Sequence, residues 1–363
     1  MLLKVSKLMD LVKKELAMKE LLNILSLSNY VPFRHLILRQ NDSFIECFAS
    51  CKGDKKRTIL YATIPPLPKC IQIPDKEAQI TFFPPLFSFI NSSMEKSNDI
   101  SFRFTYTKID DKIKKTLKPI QPNYDLQFTN AEPFEFFFYD QGDLFLHISP
   151  DEKLVYFINL NDFETFIASV PFKELTSNIR QQNIRISDFQ AAYLLDHFFS
   201  TSGLLSPIKM GITEDYLQIY KDNITVLLPY KKYSKGLPKK VRQFLDATPE
   251  FYGTSPLYLL KDLPCSHSLL EFKTKNGKLH IYHRDENLVI TIPYKGEHFT
   301  PFVMIIRKPN YPLFAQASGE VEIGRWEKFA VFRSKDKSKV TRIYFHRAEL
   351  FYEKDIYGEV DLE

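Results

Sequence analysis

The sequence predicts an α+β protein that is rich in β-strands, with helices followed by antiparallel strands in a pattern repeated along the chain. The 363 residues include 32 Phe and 19 Tyr, and bulky side chains pack well on a pleated, half-buried surface. Many short apolar segments alternate with polar residues and end at polar turns, which is typical of strands. Only a few longer segments have the spacing of an amphipathic helix. Helices laid on antiparallel sheets form an α+β layout.

The first third of the chain begins with a predicted helix over residues 6–22. Leu8, Leu11 and Leu16 fall on one face of this helix, which is the spacing that buries an apolar stripe. A second, short helix is predicted within residues 80–93. The predicted strands of this third cover residues 35–39, 43–49, 58–63 and 100–107.

The other two thirds repeat the order of helix and strands. Ser187 is a predicted N-cap for a helix over residues 188–200, and a further helix is predicted over residues 238–247. The predicted strands of the middle third cover residues 135–139, 144–149, 154–160, 163–170, 208–213, 216–220 and 224–229. Those of the last third cover residues 269–274, 278–282, 288–294, 302–307, 321–323, 330–334 and 342–346.

This rhythm predicts three domains, over residues 1–122, 123–236 and 237–363. The boundaries fall at KPIQPN and KGLPKK, where proline and glycine interrupt the strand pattern. Residues 215–231 and 277–295 are both hairpins of alternating strands that end in Pro-Tyr-Lys, which fits an internal repeat.

Charge is distributed unevenly, although the net charge is only +5. Residues 231–242 carry six basic residues and no acid, and residues 333–347 carry six basic residues against Asp336. From Glu349 onward the sign reverses, with six acids and only Lys354. The two basic stretches are compatible with nucleic-acid binding, and the last stretch is an acidic C-terminal tail.

Motifs for nucleotide-dependent, hydrolytic or metalloprotease chemistry are absent: the sequence has no GxxxxGK[ST], GxGxxG, HExxH or GxSxG. Four cysteines in a chain of this length are too scattered for a disulfide scaffold. His280 and His283 would lie on opposite faces of a strand, which disfavours a zinc site. The charged N-terminal segment is neither a signal peptide nor a membrane span. We therefore expect a cytoplasmic binding protein that is not an enzyme and that has no metal or cofactor.

Three segments together resemble one known family. They are VPFRHLILRQNDSFIECFAS (31–50), ITFFPPLFSFINSS (80–93) and GDLFLHISPDEKLVYFINLNDFETFIASVPF (142–172). Their order of strands and helices is similar to that of the DNA sliding-clamp family in its bacterial three-domain form. The family's Thr-Asp-Gly-His-Arg segment, beside its partner-peptide pocket, is replaced here by residues 159–163.

The resemblance implies a homo-oligomeric ring that encircles duplex DNA without sequence specificity and acts as a polymerase processivity factor. Basic side chains on the ring's helices would face the phosphates, and the candidates are Lys7, Lys13, Lys14, Lys239, Lys240 and Arg242. A DNA polymerase or another replication protein would dock a short peptide in an apolar pocket near Leu160 and Phe163.

Other functions fit the same residues. A non-ring nucleic-acid or transcription accessory factor would use the two basic stretches as a fixed surface with steep salt dependence. A structural or interaction protein, viral in origin, would use its β-rich domains and acidic tail for protein contacts. An enzyme with a site assembled from several strands would leave no motif in the sequence.

Overall fold

The computed structural model describes about half of the chain, and its contacts divide the chain into two compact units. The first unit comprises Met1–Phe138, Phe172–Arg180 and Arg185–Lys232, and the second comprises Tyr139–Pro171, Gln181–Ile184 and Tyr233–Glu363. The described residues are 35–40, 44–52, 57–64, 77–80, 106–107, 124–128, 142–161, 164–176, 179–186, 207–221, 224–257, 267–283, 288–299, 302–307, 320–336 and 339–345.

The described residues form twenty-four strands and one helix, α1 (Lys239–Leu245). The strands are β1 (His35–Gln40), β2 (Ile45–Lys52), β3 (Arg57–Ile64), β4 (Glu77–Ile80), β5 (Tyr106–Thr107), β6 (Leu126–Phe128), β7 (Asp143–Ser149), β8 (Leu154–Leu160), β9 (Glu164–Pro171), β10 (Lys173–Glu174), β11 (Gln182–Ile186), β12 (Ile208–Ile212), β13 (Tyr216–Lys221), β14 (Ile224–Pro229), β15 (Lys231–Lys232), β16 (Glu250–Ser255), β17 (His267–Lys275), β18 (Lys278–His283), β19 (Leu288–Pro293), β20 (Lys295–Gly296), β21 (Phe302–Arg307), β22 (Val321–Trp326), β23 (Phe329–Asp336) and β24 (Lys339–Phe345).

One ten-stranded antiparallel sheet organises the first unit, in the order β10-β6-β12-β13-β14-β3-β2-β1-β4-β5. Two three-stranded meanders, β1-β2-β3 and β12-β13-β14, meet inside it, because β3 pairs with β14 from Ile59↔Leu227 to Ala62↔Ile224. Apolar side chains such as those of Phe48, Leu60, Leu217 and Val226 are fully buried, as expected for central strands whose neighbours lie on both sides.

The second unit has two sheets. The larger sheet contains the order β11-β7-β8-β9-β24-β23-β22-β16-β20, and the smaller sheet has the order β19-β18-β17-β21. Again two meanders meet, since β9 pairs with β24 from Phe345↔Glu164 to Val340↔Ser169. The two sheets pack through apolar side chains, and the rings of Phe272 and Phe332 lie 5.6 Å apart.

Helix α1 lies against the larger sheet of the second unit. It begins after Pro238, whose backbone is extended (ψ 144°) and whose carbonyl accepts bonds from the N–H groups of Val241 and Arg242 at 2.9 Å. Val241 and Phe244 are three residues apart, so they share one face, and that face is buried. It packs in a core cluster with side chains of β7, β8, β9, β23 and β24: Phe145, Ile158, Ile167, Val331 and Tyr344.

The fold class expected from the sequence is confirmed, with antiparallel β-sheet as the dominant structure and the helical part limited to α1 among the described residues. Alternation predicted β8, β14 and β21 to the residue. The helix predicted over residues 238–247 matches α1 within two residues at each end. The predicted helices over residues 6–22 and 188–200 lie outside the described residues, as does the strand over 135–139. The division into three domains stays a prediction.

Candidate functional site

The outer face of α1 is basic and exposed. The side chains of Lys239, Lys240 and Arg242 are all exposed, whereas Val241 and Phe244 of the same helix are buried. Because the buried pair fixes the rotation of the helix, the basic side chains are held away from the sheet. This places three of the six predicted DNA-binding residues on one surface.

The loop before α1 fixes Arg242. Its guanidinium donates a hydrogen bond to the carbonyl of Leu237 at 3.3 Å. Gly236 has φ +92°, and a Cβ there would come within 2.6 Å of the Arg242 guanidinium. The tight turn therefore needs glycine for its backbone conformation, whereas the flexible Arg242 side chain could move away from a Cβ. Arg242 therefore uses part of its guanidinium for a hydrogen bond within the protein. Lys239 and Lys240 are the other two exposed positive charges of this surface.

The positions of Lys239 and Lys240 do not favour the helix itself. Both lie in the first turn, which contains no acidic residue. The helix dipole places partial positive charge at this end, so each lysine opposes helix stability by on the order of 0.3–1 kcal/mol. The Pro238 cap supplies no side-chain hydrogen bond to offset this. Helix formation therefore does not explain why two lysines are here, whereas binding of a negatively charged partner would.

A cluster of aromatic side chains packs between α1 and the larger sheet. The ring of Phe244 lies 5.2–5.4 Å from the rings of Trp326, Phe329 and Tyr344, in edge-to-face arrangements. Trp326 stacks on Phe329 at 5.4 Å. Edge-to-face and offset-stacked pairs add to the free energy of apolar burial. The helix that carries the basic side chains is therefore packed firmly against the sheet.

A second notable surface is strand β19, at the end of the smaller sheet. Leu288 and Val289 are 40% and 45% exposed, and among its six residues only Ile292 is buried. Among the described residues its one neighbour in the strand order is β18. An apolar strand at a sheet edge presents unpaired backbone groups that can accept a strand from another chain.

The loop after β19 ties this edge to β16. The hydroxyl of Tyr294 donates to the carbonyl of Glu297 at 2.8 Å, and the N–H of Glu297 donates to the carbonyl of Tyr252 at 2.9 Å. Burial of the ring, together with the nearby Glu297 carboxylate, raises the pKa of Tyr294 to about 12. Gly253 and Gly296 face each other where β16 pairs with β20, and neither has room for a Cβ.

No family model and no curated protein matches this sequence. Solved structures do match it. The DNA polymerase sliding clamp from Bacillus subtilis has a TM-score of 0.58 and 10% identity, covering 91% of this chain and 98% of that chain. The DNA polymerase III beta subunit from Pseudomonas aeruginosa has a TM-score of 0.57, 9% identity and coverage of 90% and 98%. The Helicobacter pylori beta clamp, bound to a DNA ligase peptide, has a TM-score of 0.55, 11% identity and coverage of 90% and 98%.

The chain has the fold of a DNA sliding clamp. The resemblance expected from three sequence segments is therefore confirmed for the fold. Because the likeness spans nine tenths of the chain, it includes the last third, where the sequence offered no matching segment. The sequence identity is about one residue in ten, so the structural likeness establishes the clamp fold and does not establish that the chain encircles DNA.

Of the other five site residues that the resemblance to clamps suggested, only Leu160 lies within the described residues. Lys7, Lys13, Lys14 and Phe163 lie outside the described residues. Leu160, at the end of β8, is partly buried and packs against the core cluster beneath α1. It precedes a tight turn in which the Asn161 side chain accepts a hydrogen bond from the N–H of Glu164 at 2.8 Å. The pocket role of Leu160 stays a prediction.

Two kinds of feature are absent from the described part of the chain. It contains no group of three or more His, Cys, Asp or Glu side chains that could hold a metal ion. It also contains no helix long and apolar enough to cross a membrane. Sequence reasoning missed the exposure of β19, since the alternation in LVITIP predicts a strand but does not say whether another strand covers it.

Proposed function

We propose that the chain is the subunit of a ring-shaped clamp that encircles duplex DNA in the cytoplasm and tethers replication proteins to it. The clamp acts mechanically and not as an enzyme, as a processivity factor does. One observation carries the proposal beyond the fold: in the described part of the chain, the last strand of the meander β17-β18-β19 has an open outer edge. Strands β3 and β9 each close a meander and pair with the last strand of another meander, β14 or β24. Strand β19 holds the same position in β17-β18-β19 and has no such neighbour among the described residues.

A second copy of the chain is the partner that this edge fits. Leu288 and Val289 expose apolar surface beside the unpaired edge, and the same chain already pairs meanders in this way within each unit. A contact between β19 and a different strand of the next copy is head-to-tail. Head-to-tail contacts generate a closed ring when the rotation between copies returns to the start.

The DNA contacts in this proposal are electrostatic. Lys239, Lys240 and Arg242, with Lys7, Lys13 and Lys14, would contact phosphates, which carry no sequence information. Such contacts weaken as counterions compete, so they allow sliding while enclosure prevents loss of the DNA. A replication protein would insert a short peptide near Leu160 and Phe163. The Helicobacter pylori clamp, which has the same fold, binds a DNA ligase peptide.

Electron microscopy of the full chain, with a DNA retention assay, tests enclosure. We expect class averages of closed rings and retention on nicked circular DNA that survives a high-salt wash, with release once the circle is linearised. Compact particles without a hole, and equal loss from circular and linear DNA, would contradict the ring. That outcome would favour an open accessory factor with a fixed basic face.

Charge reversal tests the DNA contact. Lys239→Glu/Lys240→Glu should weaken binding to duplex DNA and lower the salt slope by about 2, because two phosphate contacts are lost. The matched control is Lys275→Glu/Lys278→Glu, since those lysines are also exposed and flank a hairpin turn of the same unit. Equal effects of the two pairs would show that α1 is not the contact.

A further inference from the structure

The chain leaves the described structure directly beneath α1. Phe345 is the last residue of β24, and the ring of its neighbour Tyr344 lies 5.2 Å from the ring of Phe244 in α1. Arg342 on the same strand donates to the carbonyl of Ala247, just beyond the end of α1, at 3.5 Å. The last described residues of β24 therefore lie close to α1.

The chain that follows is strongly acidic. Residues 349–363, the acidic segment, contain six carboxylate side chains and one lysine. They are Glu349, Glu353, Asp355, Glu359, Asp361 and Glu363. The first of them is four residues beyond Phe345, and an extended chain spans at most about 14 Å over four residues.

The electrostatic complement of this segment is the basic face of α1 (Lys239, Lys240 and Arg242) together with Lys235 in the turn before the helix. All four side chains are exposed, and they lie within eight residues of one another in the second unit. The helix is about 10 Å long at 1.5 Å per residue, so the acidic segment can reach every part of it. No acid lies between Lys231 and Arg242 to neutralise this face.

We infer that the acidic segment binds the basic face of α1 of its own chain, and that a nucleic acid or other polyanion must displace it. Each exposed ion pair is weak. Tethering compensates, because a segment attached a few residues away is present at an effective concentration in the millimolar range. The contact is therefore populated at low salt and is displaced by a stronger polyanion or by added salt, since screening shortens the reach of exposed charges. The segment does not depend on the proposed ring for this role.

Carbodiimide cross-linking of the full chain tests the contact directly. The reagent joins a lysine amine to a nearby carboxylate as an amide, with loss of water, and mass spectrometry identifies the pair. We expect links from Lys235, Lys239 or Lys240 to the acidic segment at low salt, and far fewer at high salt. Lys275 and Lys278 are the internal controls. Equal linking to the control lysines, or no links to α1, would overturn the inference.

A mixture of isotopically labelled and unlabelled chains identifies the source of the segment. Links within a single label support docking on the same chain, and links found only between labels would assign the segment to a second copy and overturn the inference.

Changing the six carboxylates of the acidic segment to amides should also tighten the binding of duplex DNA by about threefold, since the tethered competitor is removed. In the Lys239→Glu/Lys240→Glu background, no such gain is expected. If no variant binds DNA, the proposed function fails while the cross-links still decide this inference.

Discussion

Strands β9 and β19 each close a three-stranded meander, yet their surroundings differ sharply. On β9, Phe166, Ile167 and Val170 are at most 5% exposed, because β24 pairs with its free edge and the core cluster of α1 packs on its face. On β19, Leu288 and Val289 are 40% or more exposed. Two apolar strands therefore differ in whether another described strand pairs with their outer edge. Within the described residues, one sheet continues past β9, whereas the other ends at β19.

The largest expected effect is on the packing of α1 against the sheet that contains β9. Phe244→Ala removes the ring that joins α1 to the sheet of β9, and a buried Phe→Ala substitution costs about 3–5 kcal/mol. Trp326 is the one tryptophan in the chain, and its ring lies 5.4 Å from that of Phe244, so its fluorescence reports unfolding at this place. Urea unfolding followed by this fluorescence measures the loss.

The control for that measurement is Phe44→Ala. Phe44 is 37% exposed, so the same chemical change leaves no enclosed cavity, and we expect a cost within about 0.5 kcal/mol. Equal destabilisation by the two variants would show that α1 contributes no specific packing to the larger sheet.

The next effect acts on the uncovered strand. Leu288→Lys/Val289→Lys should leave the stability of the isolated chain within about 0.5 kcal/mol, because exposed side chains contribute little to it. It should weaken self-association by at least about tenfold, since lysines on an edge strand block pairing with another chain. Light scattering across a concentration series measures the association.

Leu175→Lys is the matched control for the edge variant. Leu175 is 40% exposed, as Leu288 is, and lies in the first unit. Unchanged self-association in the β19 variant, or an equal loss in the Leu175 variant, would remove the edge of β19 as the contact between copies.

The sequence predicted the strands well because alternation is a local property. Residues 154–160 and 288–294 both alternate, and both form strands within one residue of the predicted bounds. Polar strands such as β11 (QNIRI) and β16 (EFYGTS) were missed, since their pairing with neighbours overrides weak strand propensity. Lys221 is fully buried, although a lysine is ordinarily expected on the surface.

The candidate site was predictable only in part. The sequence placed Lys239, Lys240 and Arg242 on a predicted helix, and the structure adds that Val241 and Phe244 form its buried face. The exposure of β19 was not predictable, because it depends on which strand occupies the next place in the sheet. Similarly, no sequence pattern indicated that β24 ends beneath α1, since that follows from the pairing of β24 with β9.

The smallest expected effect concerns the loop that holds β19 beside β16. Tyr294→Phe removes the hydrogen bond to the Glu297 carbonyl and should cost about 1 kcal/mol at neutral pH. The raised pKa of Tyr294, about 12 in the folded chain, adds a pH signature. An unfolded tyrosine loses its proton near pH 10, so the folded state holds the proton more tightly between these values. The stability that this gives is complete below about pH 10 and is lost as pH rises towards 12.

Urea unfolding midpoints at about pH 8 and pH 11 separate this tyrosine from the others. We expect Tyr294→Phe to lose less stability than the natural chain between the two values, because one titrating group has been removed. Tyr156→Phe makes the comparison between the sheets, since Tyr156 on β8 also has a pKa of about 12, raised by burial and by the Glu152 carboxylate. Both substitutions should flatten the alkaline loss to a similar degree, since both pKa values are raised to about 12. If Tyr156→Phe alone flattens it, the raised pKa of Tyr294 does not contribute to stability, and the loop between β19 and β16 does not hold its tyrosine protonated above about pH 10.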